Sequence, residues 1–313
     1  MRLRVLETWR DLAPEARGAA VALGAFDGVH RGHRRVIASA AAAARSLGAP
    51  LGVVTFEPHP RRLFVPHSEP FLLTNPDQQA RALADLGVEF LYRLPFDMAL
   101  AALSDLEFAR DVLVAGLGAR HVSAGANITF GKNRSGGPDA LAAYGQEFGF
   151  SVSIVPLLAA DGAACSSTAI REALKAGRPD RATALLGRPF AIEGVVVHGD
   201  HLGRTIGFPT ANMALGDYVR PAQGIYAART RLCDGREIAG VAYIGRRPTV
   251  NGVDERLEVN LFDFDEDLYG HTLETSLIAF IRGDEKFDGL DSLKAQIARD
   301  CASARKILLP ELA

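Results

Sequence analysis

The hydrophobic pattern changes period once along the chain, and that change limits the folds open to it. Up to about residue 180, short apolar runs alternate with helix signals. "AAVAL" (19–23) leads into an alanine-rich helical stretch from Gly32 to Leu47, whose alanines at 38–44 read as helix filler. "PLGVVTF" (50–56) is a continuous apolar run, as expected of a strand buried on both faces. Helix signals follow over Pro76–Leu86, 104–117, 139–148 and 166–177, with strand signals at 89–94, 121–125 and 151–158. This βα rhythm predicts an open parallel sheet with helices on both faces, whose ligands bind beyond the carboxyl ends of the strands. Near "LLGRPF" (185–190) the helices stop. Strand-like runs at 190–199, 224–232, 237–245, 256–264 and 272–282 are separated by Gly, Asp and Asn turns, and only the tail from about Leu290 to Leu309 is helical. The expectation is α/β plus all-β: a domain over 1–184 and a small β-barrel with a terminal helix over 185–313.

Composition excludes several function classes. With 313 residues, 48% of them apolar, the chain can bury two cores. A formal net charge of −2 gives no reason to expect nucleic acid or an acidic membrane surface as a partner. Cys165, Cys233 and Cys301 are far apart and form no CxxC pair, which argues against a disulfide frame or a zinc site. The start lacks the apolar core of a signal peptide, and no run approaches the roughly 18 residues of a membrane helix, so the expected location is the cytoplasm. The sequence pattern suits a monomer and a homo-oligomer equally.

The strand–loop–helix "ALGAFDGVHRGHRRVI" (22–37) is the first chemical signal. Gly24, Gly28 and Gly32 allow sharp turns and close approach to a ligand at a helix N-terminus, which favours anions. His30 and His33 are three apart, so a helix starting here puts both on one face, where each can offer an N–H to a phosphate chain. Asp27 could shape the turn or hold Mg²⁺. Three further segments suit the same site. "VTFEPHPRRLF" (54–64) is a substrate loop stiffened by Pro58 and Pro60. "SSTAIREAL" (166–174) opens a helix with three hydroxyls and Arg171, a seat for a triphosphate. "GANITFGKNRSGG" (125–137) offers Asn127, Lys132 and Arg134; it is not a Walker A loop, because five residues separate Gly125 from Gly131 and Asn133 stands where Ser or Thr would bind Mg²⁺. A GxGxxG fingerprint is absent, which weakens a dehydrogenase reading.

The second signal lies in the all-β half. In "VVHGDHLGRTIGFPTANM" (196–213), Arg204 and the glycines could cradle phosphates, while Thr210 and Asn212 offer the hard oxygens that Mg²⁺ prefers. Glu258, in "LEVNLFDFDEDLYG" (257–270), could take a proton from an attacking hydroxyl. "DFDEDLYG" lacks the spacing of a calcium loop and reads as an acidic β-turn.

GAFDGVHRGH (24–33) resembles the nucleotidyltransferases of the HxGH type, which have a Rossmann-like fold. With TFEPHP (55–60), SSTAIR (166–171), GRTIGFPTAN (203–212), PAQGIY (221–226), IGRRPT (244–249), LEVNLFDFDEDLYG and "EKFDGLDSL" (285–293), nearly the whole chain resembles the bifunctional riboflavin kinase/FMN adenylyltransferases, the bacterial FAD synthetases. The resemblance implies FMN adenylyltransferase activity over 1–184 and riboflavin kinase activity over 185–313. It implies riboflavin, FMN and ATP as substrates, FAD as product and Mg²⁺ as cofactor. Gly24, Phe26, Asp27, His30, Gly32, His33, Asn127, Ser167, Thr168 and Arg171 would bind ATP in the first domain. Phe56, Pro58, His59, Pro60, Asn127 and Arg305 would meet flavin. Gly203, Arg204 and Thr210 would hold the second ATP, Thr210 and Asn212 the Mg²⁺, and Glu258 would be the base for the ribityl 5′-hydroxyl; His30 and His33 would serve adenylyl transfer. Many relatives carry Asp-Phe where this chain has Asn127-Ile128. Two other readings stay open: another HxGH-type nucleotidyltransferase with a non-catalytic β domain, and a degenerate flavin-binding paralogue.

Overall fold

The computed structural model describes residues 3–160, 163–199, 203, 206–249 and 252–309. Two compact units divide it: Met1–Glu69 with Pro76–Ser166, and Pro70–Asn75 with Ser167–Ala313.

The first unit is built on a six-stranded sheet, all of whose pairings are parallel. Its strands are β1 (Arg4–Leu6), β2 (Ala20–Leu23), β3 (Leu51–Glu57), β4 (Phe90–Pro95), β5 (His121–Gly125) and β6 (Ser151–Val155), in the order β1-β4-β3-β2-β5-β6. β2 is central. The chain leaves it toward β3 on one side and later returns to its other side as β5, so the end of β2 borders the topological switch point. Helix α1 (Arg31–Leu47) connects β2 to β3. Alternation along β2 feeds two cores. Val21 and Leu23 join Tyr92, Phe108 and Leu113 on one face, while Ala20 and Ala22 join Ile37, Ala40 and Ala44 on the other. Ala40 and Ala44 are therefore packing surface on the sheet rather than filler. Short α2 (Pro60–Phe64) follows β3, α3 (Pro76–Ala84) precedes β4, and α4 (Met98–Ala102) precedes β5. The helix expected over 104–117 is two pieces: α5 (Asp105–Glu107), and a π-helical segment Phe108–Gly116. α6 (Pro138–Phe148) precedes β6, and the two-residue strands β7 (Ala159–Ala160) and β8 (Ala163–Ala164) close the unit.

The second unit is a closed six-stranded antiparallel barrel in the order β10-β13-β12-β11-β14-β9. Its strands are β9 (Phe190–Val197), β10 (Ala211–Ala214), β11 (Gly224–Arg231), β12 (Glu237–Thr249), β13 (Gly252–Leu261) and β14 (Thr272–Arg282). Closure leaves no free sheet edge. β10 is an addition to the five strands expected: the turn-rich PTAN segment runs into a short strand that pairs with β9 and β13. Alternate residues such as Tyr226, Leu257, Val259 and Leu277 are buried, and Ala304 and Leu308 of α9 (Leu290–Leu308) pack with Ala227, Val241 and Phe262 on the outer face.

Helices α7 (Ser167–Lys175) and α8 (Pro179–Leu186) fall in the range the sequence reading assigned to the first domain, 1–184, yet they pack with the second unit. The Ala222 N–H donates to the Leu174 carbonyl at 2.9 Å, and α8 lies against β9 and β14. Segment Pro70–Asn75 joins the same unit: the Phe71 and Leu72 N–H groups donate to the Asp217 carbonyl, and Asn75 Nδ2 donates to Glu193 at 2.9 Å. These tertiary bonds leave no mark on local periodicity.

Candidate active sites

In the first unit the loop between β2 and α1 is held in a demanding shape. Phe26 (φ 51°), Gly28 (φ 85°) and Val29 (φ 41°) all adopt left-handed backbone, which for a β-branched valine is a real outlier. The surroundings impose it. Val29 is fully buried, and its N–H closes a turn onto the Phe26 carbonyl at 3.0 Å. The Ala25 carbonyl accepts two side-chain bonds, from Thr55 Oγ1 at 2.9 Å and Gln79 Nε2 at 3.0 Å. Asp27 is buried at the base of this loop.

The loop delivers His30 as the cap of α1. Its Nδ1 accepts the His33 N–H at 3.2 Å. An accepting Nδ1 puts the proton of the neutral ring on Nε2, so His30 has a fixed donor. The two imidazoles stack with centroids 3.5 Å apart, and the edge of Phe26 meets His33 at 5.2 Å. A side chain at Gly32 would be tight: a Cβ would sit 3.1 Å from the His30 ring and 3.2 Å from the Cys165 carbonyl. Cys165 is buried, with Sγ 3.7 Å from His30 Nδ1. Gly24 likewise lies under the Phe26 ring. The result is a stacked histidine pair at a helix N-terminus, a place where N–H groups can meet an anion.

Around it, Phe56 packs edge-on against Phe96 at 5.5 Å, and Pro58, His59 and Pro60 lead into α2, where His59 Nδ1 caps the Arg61 N–H at 3.2 Å. Asn127 is exposed just past β5 and folds over Gly125. Ser167, Thr168 and Arg171 belong to the second unit, on α7, where Arg171 Nε donates to the Phe71 carbonyl at 2.7 Å.

The second unit assembles its polar residues by strand register. Asn212 on β10 lies opposite Glu258 on β13, and Glu258 opposite Tyr243 on β12. Partners in register share a face, so these three form one row on the outside of the barrel, while Leu257 and Val259 fill the inside. Asn212 is buried by the segment before β10, since a Cβ on Gly199 would come within 2.6 Å of its Nδ2. That nitrogen donates to the Thr210 carbonyl at 3.2 Å, whereas Oδ1 has no hydrogen-bond partner. A buried, partnerless amide oxygen fits a hard cation, and the Thr210 hydroxyl lies on the nitrogen side of the same amide, 3.5 Å from Nδ2. Among the described residues no cluster of three or more His, Cys, Asp or Glu could hold a metal. Gly203 is confined by the Phe208 carbonyl, and Arg204 lies outside the described residues.

Thr210 also borders a cleft of about 320 Å³ at the barrel mouth, shared with Phe264, Asp265, Leu268 and Tyr269. The segment read as a plain acidic turn is therefore a cleft wall. Its far side is tied down, because Arg236 forms a two-pronged pair with Glu266 at 2.7 and 2.8 Å. Arg305 on α9 donates two 2.9 Å bonds to Asp263, at the start of the same acidic segment, and lies 4.3 Å over Phe262.

Comparison with known proteins follows this division. Residues 12–169 match the family model of FAD synthetase, and residues 186–308 that of riboflavin kinase. The bifunctional riboflavin kinase/FMN adenylyltransferase of Escherichia coli K12 is 42% identical over 94% of both chains. Those of Pseudomonas fluorescens and Bacillus subtilis are 40% and 38% identical, over 98% and 91% of this chain and 99% and 91% of theirs. The chain belongs to this bifunctional family. A solved structure described as a macrolide-efflux protein from Streptococcus pneumoniae superposes with a TM-score of 0.85 at 34% identity, covering 96% of this chain and 97% of that one. No described helix of this family member is long and apolar enough to cross a membrane.

Sequence reasoning passed over several supports of these sites. Thr55 and Gln79 act through one backbone carbonyl, and Tyr243 stands opposite Glu258 by register while its hydroxyl donates to Asp284 at 3.2 Å. For Thr55 a signal existed, a hydroxyl at the end of an otherwise apolar strand. Gln79 and Tyr243 carried none.

Proposed function

We propose that the chain makes FAD from riboflavin in two steps, one served by each unit. ATP phosphorylates the ribityl 5′-hydroxyl of riboflavin, giving FMN and ADP. The phosphate of FMN then attacks the α-phosphorus of a second ATP, giving FAD and pyrophosphate. The observation that carries this reading is the match of one chain to both family models in succession.

The geometry supports roles for individual residues. For adenylyl transfer, His30 Nε2–H, His33 and the first amides of α1 hold the triphosphate, and their fixed dipoles meet the charge that develops as pyrophosphate leaves. No covalent intermediate is needed. Phe56, with the Pro58–Pro60 turn, and Asn127 border the flavin nucleotide. For the kinase step, Glu258 takes the proton of the 5′-hydroxyl. Thr210 and the partnerless Asn212 Oδ1 hold Mg²⁺, which when bound neutralises the transferring phosphate. The cleft beside Thr210 takes part of the second ATP.

The test is to incubate the purified chain with riboflavin, ATP and Mg²⁺ and separate the flavins by chromatography. FMN should appear first and FAD after it. Absence of FMN would remove the kinase assignment, and FMN that never becomes FAD would remove the adenylyltransferase assignment.

A further inference from the structure

The loop 125–137 follows β5 at the carboxyl edge of the first sheet, and from within it is held by short-range turns such as the Arg134 N–H to the Gly131 carbonyl at 3.0 Å. Lys132 to Ser135 are exposed, and Asn133 and Arg134 both have φ 57°. A pair of bonds between Phe130 and Gly136, at 3.1 and 3.0 Å, closes its inner hairpin, and Asn127 lies three residues before that closure. The residue that fastens it is Asp105, which no motif contains. Asp105 Oδ1 accepts Ser135 Oγ at 2.7 Å, within the loop, and Oδ2 accepts the Tyr144 hydroxyl at 2.8 Å, on the helix that follows. The backbone is close as well. A Cβ on Gly131 would strike the Asp105 nitrogen, one on Gly136 would lie 2.6 Å from Asp105 Cβ, and the neighbouring Leu103 carbonyl accepts the Lys132 N–H at 2.7 Å.

This carboxylate is not needed for the helix it starts. Ser104 and Glu107 cap α5 reciprocally: Ser104 Oγ accepts the Glu107 N–H at 3.2 Å, and Glu107 Oε2 accepts the Ser104 N–H at 2.8 Å. Both Asp105 oxygens are thus spent on the loop and the helix after it. A carboxylate suits the task because it can accept from two hydroxyls at once, whereas an amide has one accepting atom. Those hydrogen bonds, Ser135 first, also hold the Asp105 carboxyl below its ordinary range.

We propose that Asp105 is a positioning residue for adenylyl transfer, a latch that fixes the loop 125–137 and so presents Asn127 to the nucleotide. The proposal rests on the adenylyltransferase reading of the first unit. Asp105 need not touch substrate; it acts by restricting the loop. An error of about 1 Å in a positioning group can cost up to about 10²-fold in rate, and a loop loosened at one end should show part of that.

The experiment compares wild type with Asp105→Ala, Asp105→Asn and Tyr144→Phe as full chains. Three readouts are taken: FAD formation from supplied FMN, riboflavin phosphorylation, and the rate of trypsin cleavage after Lys132 and Arg134. For Asp105→Ala, kcat/KM for adenylyl transfer should fall about tenfold, mostly through KM for FMN. Riboflavin phosphorylation should be unchanged, and cleavage at Lys132 and Arg134 should accelerate. Asp105→Asn should recover part of both losses, and Tyr144→Phe should show a smaller loss in the same direction, which also serves if the alanine variant folds poorly. Unchanged KM or unchanged cleavage in Asp105→Ala overturns the latch while leaving the adenylyltransferase reading intact. A wild-type chain that makes no FAD overturns that reading and the proposal with it, and cleavage then reports the loop contact alone.

Discussion

The two candidate sites are built by opposite means. In the parallel sheet, His30 and His33 come from four consecutive residues, and the fold's work is to bend the backbone before them. Phe26, Gly28 and Val29 are held in left-handed conformations by burial and by bonds to one carbonyl. In the barrel, Asn212 and Glu258 are 46 residues apart, a separation given by their numbers, and no unusual backbone brings them together. Ordinary antiparallel register does so, with Tyr243 on the third strand. A loop site is specified locally and needs support; a register site is specified globally and is as firm as the barrel itself.

The largest way to break this contrast is at Glu258. Replacing it with Gln keeps the size and register but removes the base, so FMN formation should fall by about 10²–10⁴-fold, while FAD formation from supplied FMN should hold. Steady-state assay of the two steps checks it. Near-normal FMN formation would mean that the row on the barrel face is structural.

Thr55→Val sharpens the loop side of the comparison. The change is nearly isosteric and deletes the donor to the Ala25 carbonyl, leaving Gln79 as that oxygen's remaining side-chain donor. Adenylyl transfer should drop about tenfold, with kinase activity unchanged. If the rate is indifferent to Thr55, the loop's shape is set by packing around Val29 and Phe26 alone.

The same division explains what the sequence made legible. GAFDGVHRGH announced its site because strand, glycine turn, histidines and helix are contiguous, so spacing alone puts both rings at one helix start. The barrel site showed only as separate fragments: Thr210 and Asn212 offer hard oxygens, but Glu258 in isolation is a strand glutamate, and its partners depend on a register that periodicity does not reveal. β10 escaped notice because four residues following a Gly-Pro-rich turn carry too little pattern. Assigning α7 and α8 to the first half reflected chain order, whereas the bonds that seat them, such as Ala222 to Leu174, run to the barrel. Asp105 left no trace, because its two hydroxyl donors lie 30 and 39 residues away.

The smallest effect concerns pH and also separates the units. His121 on β5 is buried, with Nδ1 2.7 Å from Ser151 Oγ and Nε2 2.9 Å from Ser123 Oγ. Burial pushes its pKa below the usual 6.5. An unfolded chain therefore takes up a proton that the folded one refuses, so this group's contribution is complete above pH 6.5 and is lost as pH falls through the folded value. Amide protection factors on the first sheet, which take out the intrinsic pH dependence of exchange, should fall between about pH 7 and 5.5 more than those on the barrel. His121→Gln should flatten that difference, and an equal fall in both units would remove His121 as its cause.

The most direct measurement of the central claim mixes two damaged chains. His30→Ala should make FMN but no FAD, and Glu258→Gln should make FAD only when FMN is supplied. Neither alone should convert riboflavin to FAD, but the two in one tube with riboflavin, ATP and Mg²⁺ should, because FMN released by the first feeds the second. A mixture that yields no FAD, or either substitution abolishing both steps, would contradict two sites carried independently by one chain.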